Sequence, residues 1–269
     1  MIGALRMIAR GAWSYMLLGI GGLLLAFICF IWALVAIVLN LALPAAAARR
    51  VGRYGAMGSF RFFLGTMEAL GAWRLEIDEL DELRDAGPLI IAPNHPCLLD
   101  AVLVVSRLPN ALCVMKRALL GTFLLGPAAR LARYVRNDSL RRLATRADEE
   151  LRLGGQLLIF PEGTRSTSDP VGPFTEAVGA LSRRSNVPVQ AVIIETDSRF
   201  LGKGWVLTRR PEVPLAYRVR LGRRFDPPKD VRAFTVELER YFSRELAART
   251  EPLPVAQGRD VEDAQRIRG

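Results

Sequence analysis

The sequence predicts an α/β fold: a mostly parallel sheet flanked by helices, preceded by an N-terminal membrane helix or helical hairpin. Three observations carry this reading. From residue 73 onward, short apolar runs alternate with helical stretches, the pattern of parallel strands joined by crossover helices. Trp13–Leu43 is a run of 31 residues without a charge. The 269 residues are 51% hydrophobic and 24% charged, too apolar for a disordered chain and enough to bury a core.

The uncharged run exceeds the ~20 residues that cross a bilayer and the ~7–15 of a signal-peptide core, so Ala45-Ala46-Ala47 is not read as a cleavage site. As a straight helix it would measure ~46 Å against a ~30 Å hydrocarbon core. It must tilt, bend at Gly19, Gly21 or Gly22, or fold back as a re-entrant hairpin in one leaflet. Residues 1–48 are therefore read as a membrane anchor. Arg6 and Arg10 precede the run, whereas Arg49, Arg50, Arg53 and Arg61 follow it. The excess on the C-terminal side predicts a main domain facing the cytoplasm. Over residues 49–72, Val51, Tyr54, Met57, Phe60, Leu64 and Met67 recur at three- and four-residue intervals among those arginines. This suits an interfacial amphipathic helix on anionic lipid, and equally a helix packed on the domain.

The main domain runs over residues 73–250. Strands are expected at Arg74–Ile77, Leu89–Ala92, Ala111–Met115, Arg133–Val135, Gln156–Phe160, Val189–Glu195, Trp205–Thr208 and Leu215–Gly222. Helices are expected from Pro96 to about Arg107, then at Lys116–Leu131, Ser139–Leu153, Phe174–Arg184 and Val231–Ala248. Pro96 suits a first helical position, where its missing N–H is not needed. Residues 251–269 read as a charged, frayed tail.

Composition narrows the function. There are 37 Lys+Arg against 27 Asp+Glu, a net charge of +10. Such a chain can bind nucleic acid, anionic lipid or phosphorylated substrates. No nucleic-acid module is visible, so nucleic acid is not an expected partner. Cys29, Cys97 and Cys113 form no CxxC pair, and His95 is the one histidine. These argue against a disulfide framework and against any metal site. No GxSxG occurs, which disfavours a serine hydrolase.

Two constellations carry chemistry. The first is Pro93-Asn94-His95-Pro96-Cys97-Leu98-Leu99-Asp100, where an apolar strand gives way to a helix. A carboxylate beside an imidazole fixes its tautomer and stabilises the imidazolium, which makes it a better base. The same spacing also suits a structural cap and ion pair. The second is Phe160-Pro161-Glu162-Gly163-Thr164-Arg165-Ser166, again after an apolar strand. Its backbone N–H groups, hydroxyls and arginine can hold an anionic or polyhydroxyl ligand. It reads equally as a turn with a surface Glu162–Arg165 pair.

An NHxxxxD element followed by FPEGTRS resembles the glycerolipid acyltransferases, and more narrowly the bacterial 1-acyl-glycerol-3-phosphate acyltransferases, over about residues 73–222. The resemblance implies an O-acyltransferase of phospholipid biosynthesis at the inner membrane. It would move a fatty acyl group from acyl-CoA or acyl carrier protein to the free hydroxyl of 1-acyl-glycerol-3-phosphate at the membrane, giving phosphatidic acid. The acyl donors are co-substrates, and no cofactor is implied. His95 would be the general base and Asp100 its partner. Glu162 and Gly163, with Thr164 and Arg165 beside them, match the acceptor-binding loop. Arg136 sits where the family carries an arginine for the acceptor phosphate, and Pro188 matches a motif tied to acyl-site structure. Cys97 stands where relatives often hold a hydroxyl residue. The glycine usual shortly before the second-motif arginine is missing, and Thr175 replaces a frequent lysine. These departures leave open another lyso-lipid acceptor, such as an ornithine-lipid precursor. A membrane-tethered basic lipid-binding protein is the reading from a different class, and it gives His95 no task.

Overall fold

A computed structural model describes residues 2–137, 140–166, 170–206, 209–248 and 253. The tail expected over residues 251–269 lies outside them, apart from Leu253. Two long helices open the chain: α1 (Ile2–Ala42) and α2 (Ala45–Ala69), joined at Leu43-Pro44. There follow β1 (Trp73–Glu76), a 3-10 turn over Asp78–Leu83, β2 (Leu89–Pro93), α3 (Asp100–Val105), β3 (Ala111–Lys116) and α4 (Arg117–Leu120). Then come α5 (Gly126–Leu131), β4 (Val135–Asn137), α6 (Leu140–Arg152), β5 (Gln156–Leu158) and α7 (Ala177–Ser185). The described chain closes with β6 (Val189–Thr196), β7 (Leu215–Phe225) and α8 (Val231–Ala247).

The seven described strands form one sheet in the order β1-β7-β6-β2-β5-β3-β4. Every pairing is parallel except β6 with β7. The central strand β2 is buried along its whole length, as expected of a strand covered on both faces. One apolar layer lies between the sheet and α2, α3 and part of α1, through Phe63, Leu64, Leu103 and Tyr217. The other lies under α6, α7 and α8, through Leu143, Val178, Leu238 and Phe242.

Three expectations are corrected, and for Arg53 the domain-packed alternative is the one observed. Pro96 does not begin a helix: residues 96–99 form a turn, and the helix starts at Asp100. The single helix expected over residues 116–131 is two short ones, separated at Gly121–Leu125. Trp205 and Val206 are not in a strand, and residues 207–208 lie outside the described part. Trp205 instead packs edge-on against Phe200, with the Arg209 guanidinium over its ring. In α2, Arg53 does not face lipid. Its side chain is only 1% exposed, ion-paired to Glu150 at 2.5 Å and hydrogen-bonded to Asn110 and to the Ala132 carbonyl.

In α1, Gly11–Ala42 is a 32-residue stretch long and apolar enough to span a membrane. The helix is unbroken through Gly19, Gly21 and Gly22, so the chain does not fold back at any of them. It packs against α2, where Trp32 lies on Gly55 and Met67 on Gly21, and along α5. Gly52 lets α2 reach the backbone of Leu131 and Ala132: a Cβ there would sit 2.5 Å from main-chain atoms. The opposite face of α1 is bare, with Leu23, Phe27, Val38 and Leu41 all more than 60% exposed. A bare stripe of this composition makes α1 a membrane-associated helix.

Candidate active site

The parallel strands β2, β5, β3 and β4 all end on one edge of the sheet, where open α/β sheets bind ligands. Both sequence motifs sit on that edge. Asn94 is buried at the end of β2. Its side chain donates to the Ile194 carbonyl at 2.8 Å and accepts from the Ile194 N–H at 2.7 Å. This two-way clamp ties the start of the first motif to β6 and sets the direction of the next residue, His95. Asn94 was not singled out in the sequence; an amide between an apolar strand and the motif histidine was the available signal.

His95 Nδ1 lies 2.8 Å from Asp100 Oδ2. An ionised carboxylate only accepts, so Nδ1 carries the proton and Nε2 is left with its lone pair. The imidazole stacks on Phe160 of the second motif, with ring centroids 3.8 Å apart and planes 17° from parallel. The ring is therefore fixed by one hydrogen bond and one flat contact, while its side chain keeps 15% exposure. Asp100 is completely buried. It accepts two further hydrogen bonds, from Cys97 N–H at 2.8 Å and Cys97 Sγ at 3.0 Å. The contact reaches back over the 96–99 turn, so Asp100 partners His95 from the first helical residue rather than from inside a helix. Burial raises the Asp100 carboxyl pKa, against the lowering by His95 and Cys97. Burial and the neighbouring Asp100 push the Cys97 thiol well above its ordinary value. Cys97 thus stays a thiol, serves as a donor, and is unsuited to nucleophilic attack.

The second motif is held to the first through Glu162. This buried carboxylate accepts from His95 N–H at 3.0 Å and Ser166 Oγ at 2.8 Å through Oε1, and from Gly172 N–H at 2.8 Å through Oε2. Ser166 N–H also donates to the His95 carbonyl at 2.8 Å. Both carboxylate oxygens are engaged by protein donors. Gly163 has φ +65, the left-handed conformation in which a side chain is strained, and the loop turns there. Gly163 is exposed and Thr164 half-buried. Arg165 does not pair with Glu162. Its Nη1 donates to the Leu201 and Gly202 carbonyls, at 2.9 and 3.0 Å, and anchors the segment between β6 and β7. Thr175 donates to the Pro161 carbonyl through both its N–H and its hydroxyl, bracing the same loop from below.

Arg136 is an exposed residue of β4, paired in register with Met115 of β3. It shares the sheet edge with His95 but stands three strands away, roughly 14 Å at ~4.8 Å per strand spacing. Pro188 precedes β6 and its carbonyl accepts from Ile90 N–H of β2 at 3.0 Å, which sets the register of the two central strands. The structure thus gathers His95, Asp100, Glu162, Gly163 and Arg165 at one place. Arg136 lies farther along the edge, and Pro188 at the opposite ends of the strands.

Beside this centre is an apolar cavity of about 420 Å³ between α1, α2 and the sheet, with Leu99 and Leu201 on the site side and Gly22, Leu25, Phe63 and Trp73 deeper. Leu99 is next in sequence to Asp100, and Leu201 accepts from Leu98 N–H and Arg165. A larger hollow, about 860 Å³, follows the exposed face of α8 alone and includes no residue of either motif.

Residues 74–195 match the model of the acyltransferase family. The 1-acyl-sn-glycerol-3-phosphate acyltransferase of Pseudomonas aeruginosa is 26% identical over 189 residues, 68% of this chain and 72% of that protein. The human 1-acyl-sn-glycerol-3-phosphate acyltransferase beta is 28% identical over 153 residues, 53% of this chain and about half (51%) of its own length. Among solved structures, the 1-acyl-sn-glycerophosphate acyltransferase PlsC of Thermotoga maritima superposes with a TM-score of 0.67 at 20% identity, over 93% of this chain and 99% of that one. Its likeness bears on the fold: the same α/β sheet with an N-terminal apolar helix. Motifs and relatives agree: residues 74–195 match the acyltransferase family, and the relatives that the chain is similar to are named 1-acyl-sn-glycerol-3-phosphate acyltransferases.

Proposed function

We propose that the chain transfers a fatty acyl group from an acyl thioester, acyl-CoA or acyl carrier protein, to the free hydroxyl of 1-acyl-glycerol-3-phosphate. The product is phosphatidic acid. The observation that carries this reading is the His95–Asp100 pair, a ring nitrogen 2.8 Å from a fully buried carboxylate. His95 Nε2 takes the proton of the acceptor hydroxyl as its oxygen attacks the thioester carbonyl. The C–O bond forms, the C–S bond breaks, and the proton passes from the imidazolium to the departing thiolate. Asp100 holds the Nδ1–H tautomer and stabilises the imidazolium. No acyl-enzyme is required, in keeping with the un-ionised Cys97 thiol.

Arg136 binds the acceptor phosphate, since a guanidinium forks onto phosphate oxygens. The Gly163–Arg165 loop contacts the acceptor's glycerol, and Glu162 acts on it by holding the loop against His95. The apolar cavity beside Leu99 receives an acyl chain. With α1 in the lipid, the lyso-lipid acceptor reaches His95 without leaving the bilayer surface. The domain works on the cytoplasmic face of the inner membrane, where its thioester donors are made.

The reading is tested with purified, detergent-solubilised protein given labelled acyl-CoA or acyl carrier protein and a panel of lyso-lipids, with products identified by mass spectrometry. Phosphatidic acid as the preferred product is expected. Acylation only of another lyso-lipid, such as an ornithine-lipid precursor, would keep the chemistry and overturn the acceptor. No acylation of any would overturn both.

A further inference from the structure

We propose that the α4–α5 corner, residues 116–125, is a second lipid-inserting element that docks on an anionic leaflet beside α1. Leu119, Phe123 and Leu124 are 40%, 54% and 40% exposed on this corner. Three large apolar side chains clustered within six residues mark a contact surface. What covers them follows from two further observations. The first is continuity: the Phe123 ring meets Phe30 of α1 at 6.1 Å, and Phe30 belongs to the bare stripe Leu23, Phe27, Phe30, Leu34, Val38 and Leu41. The apolar corner thus prolongs the membrane face of α1 sideways toward the sheet. The second is charge. Residues 101–137 contain no Asp or Glu. Lys116, Arg117, Arg130 and Arg133 are exposed at the base of the corner, on the two short helices and their flanks. Apolar tips above a collar of exposed cations match an anionic headgroup layer with hydrocarbon below it. A neutral apolar partner would leave the collar unmatched.

The geometry has a consequence for the site. Lys116 is both the last residue of β3 and the residue before α4. Inserting the corner therefore sets the ends of β3 and β4 at headgroup depth, on the edge that carries Arg136. The proposal rests on the membrane association of α1 and not on the acyl-transfer chemistry, so the two can fail separately.

The test uses the full chain with Cys29→Ser, because Cys97 and Cys113 are buried and do not label. Single cysteines are introduced as Phe123→Cys, Leu23→Cys and Val236→Cys, each tagged with an environment-sensitive fluorophore. Phe123→Cys is backed by Leu124→Cys in case one site disturbs the fold. The proteins are bound to vesicles of phosphatidylcholine and phosphatidylglycerol carrying nitroxide-labelled acyl chains. The Leu23 label reports insertion of α1, and the Val236 label, on the exposed side of α8, reports a surface in water. Quenching at Phe123 comparable to that at Leu23, and at least about twofold weaker in vesicles of phosphatidylcholine alone, is expected. Quenching at Phe123 no greater than at Val236, while Leu23 is quenched, would overturn the proposal. So would a Phe123 label shielded from water but unquenched by lipid, the mark of a protein partner or a second copy.

Discussion

Replacing Asp100 by Asn separates the two services its carboxylate renders to His95. Oδ2 accepts from both the imidazole Nδ1 and Cys97 N–H, each at 2.8 Å, and Oδ1 accepts from Cys97 Sγ at 3.0 Å. An amide seats its oxygen where two donors converge and turns its NH2 toward the sulfur, a weak acceptor. The Nδ1–H tautomer survives, and the charge alone is lost. Opposite charges ~4 Å apart at an effective dielectric of ~20 attract by ~4 kcal/mol, which is the ceiling on the lost imidazolium stabilisation. At tenfold per ~1.4 kcal/mol, Asp100→Asn should slow turnover by about 100- to 1,000-fold. The assay is the initial rate of acyl transfer, run beside thermal unfolding of the same preparation. The unfolding data carry their own sign. Burial raises the Asp100 pKa in the fold. A carboxyl raised in this way contributes stability that is complete below its unfolded pKa and is lost as pH rises through the folded value. At neutral pH the buried charge costs stability, and the amide does not titrate. The variant should therefore melt above wild type at neutral pH, with the gap closing on acidification. A rate within about threefold of wild type, or a gap that widens toward acid, would refute the reasoning.

Three further outcomes follow from the same contacts. Glu162→Gln leaves one of two N–H groups, His95 or Gly172, facing an amide NH2; at ~1–3 kcal/mol per unpaired donor, kcat should fall about 10- to 100-fold, together with any rise in acceptor KM as the loop loosens. A raised KM with kcat retained would instead make the carboxylate a direct acceptor contact. Arg136→Ala should raise acceptor KM and leave the thioester KM alone, as steady-state kinetics with each substrate varied would read; an effect confined to the donor would contradict its placement. Arg53→Met leaves Glu150 with only Arg49 among the described residues, at 3.8 Å, and strips the donor from Asn110; at about 3 kcal/mol for a broken buried pair, the melting temperature should drop by roughly 6–12 °C. An unchanged melting temperature would mean that the pair is not what holds α2 to the domain.

How far the sequence reaches is seen in particular residues. The buried strands β2, β3 and β6 were legible because parallel strands covered on both faces are continuous apolar runs. The His95–Asp100 contact was legible from spacing, although the path was not: the expected helix from Pro96 is a turn stabilised by Asp100 itself. Trp205 favours a strand by propensity, but positive-φ Gly204 before it and its packing on Phe200 override that preference. For Arg53 the sequence left lipid and domain equally open. Its place in the buried arc Ala48, Gly52, Ala56, Phe63 and Met67 was available from helical periodicity, but its partner Glu150 lies 97 residues away. Glu162 was the least legible. A carboxylate in a loop motif looks like a ligand for substrate until Gly172 and the His95 backbone are seen to occupy it. Long-range hydrogen bonds of this kind have no local signature.

The central claim is that His95 accepts the acceptor's proton, and it is tested most directly by comparing His95→Ala with wild type in one preparation, for single-turnover acyl transfer and for vesicle binding. General-base catalysis is worth ~100- to 10,000-fold. The account predicts a loss of that size or more, with folding and membrane binding retained. Turnover near wild type in a folded, membrane-bound His95→Ala would contradict it.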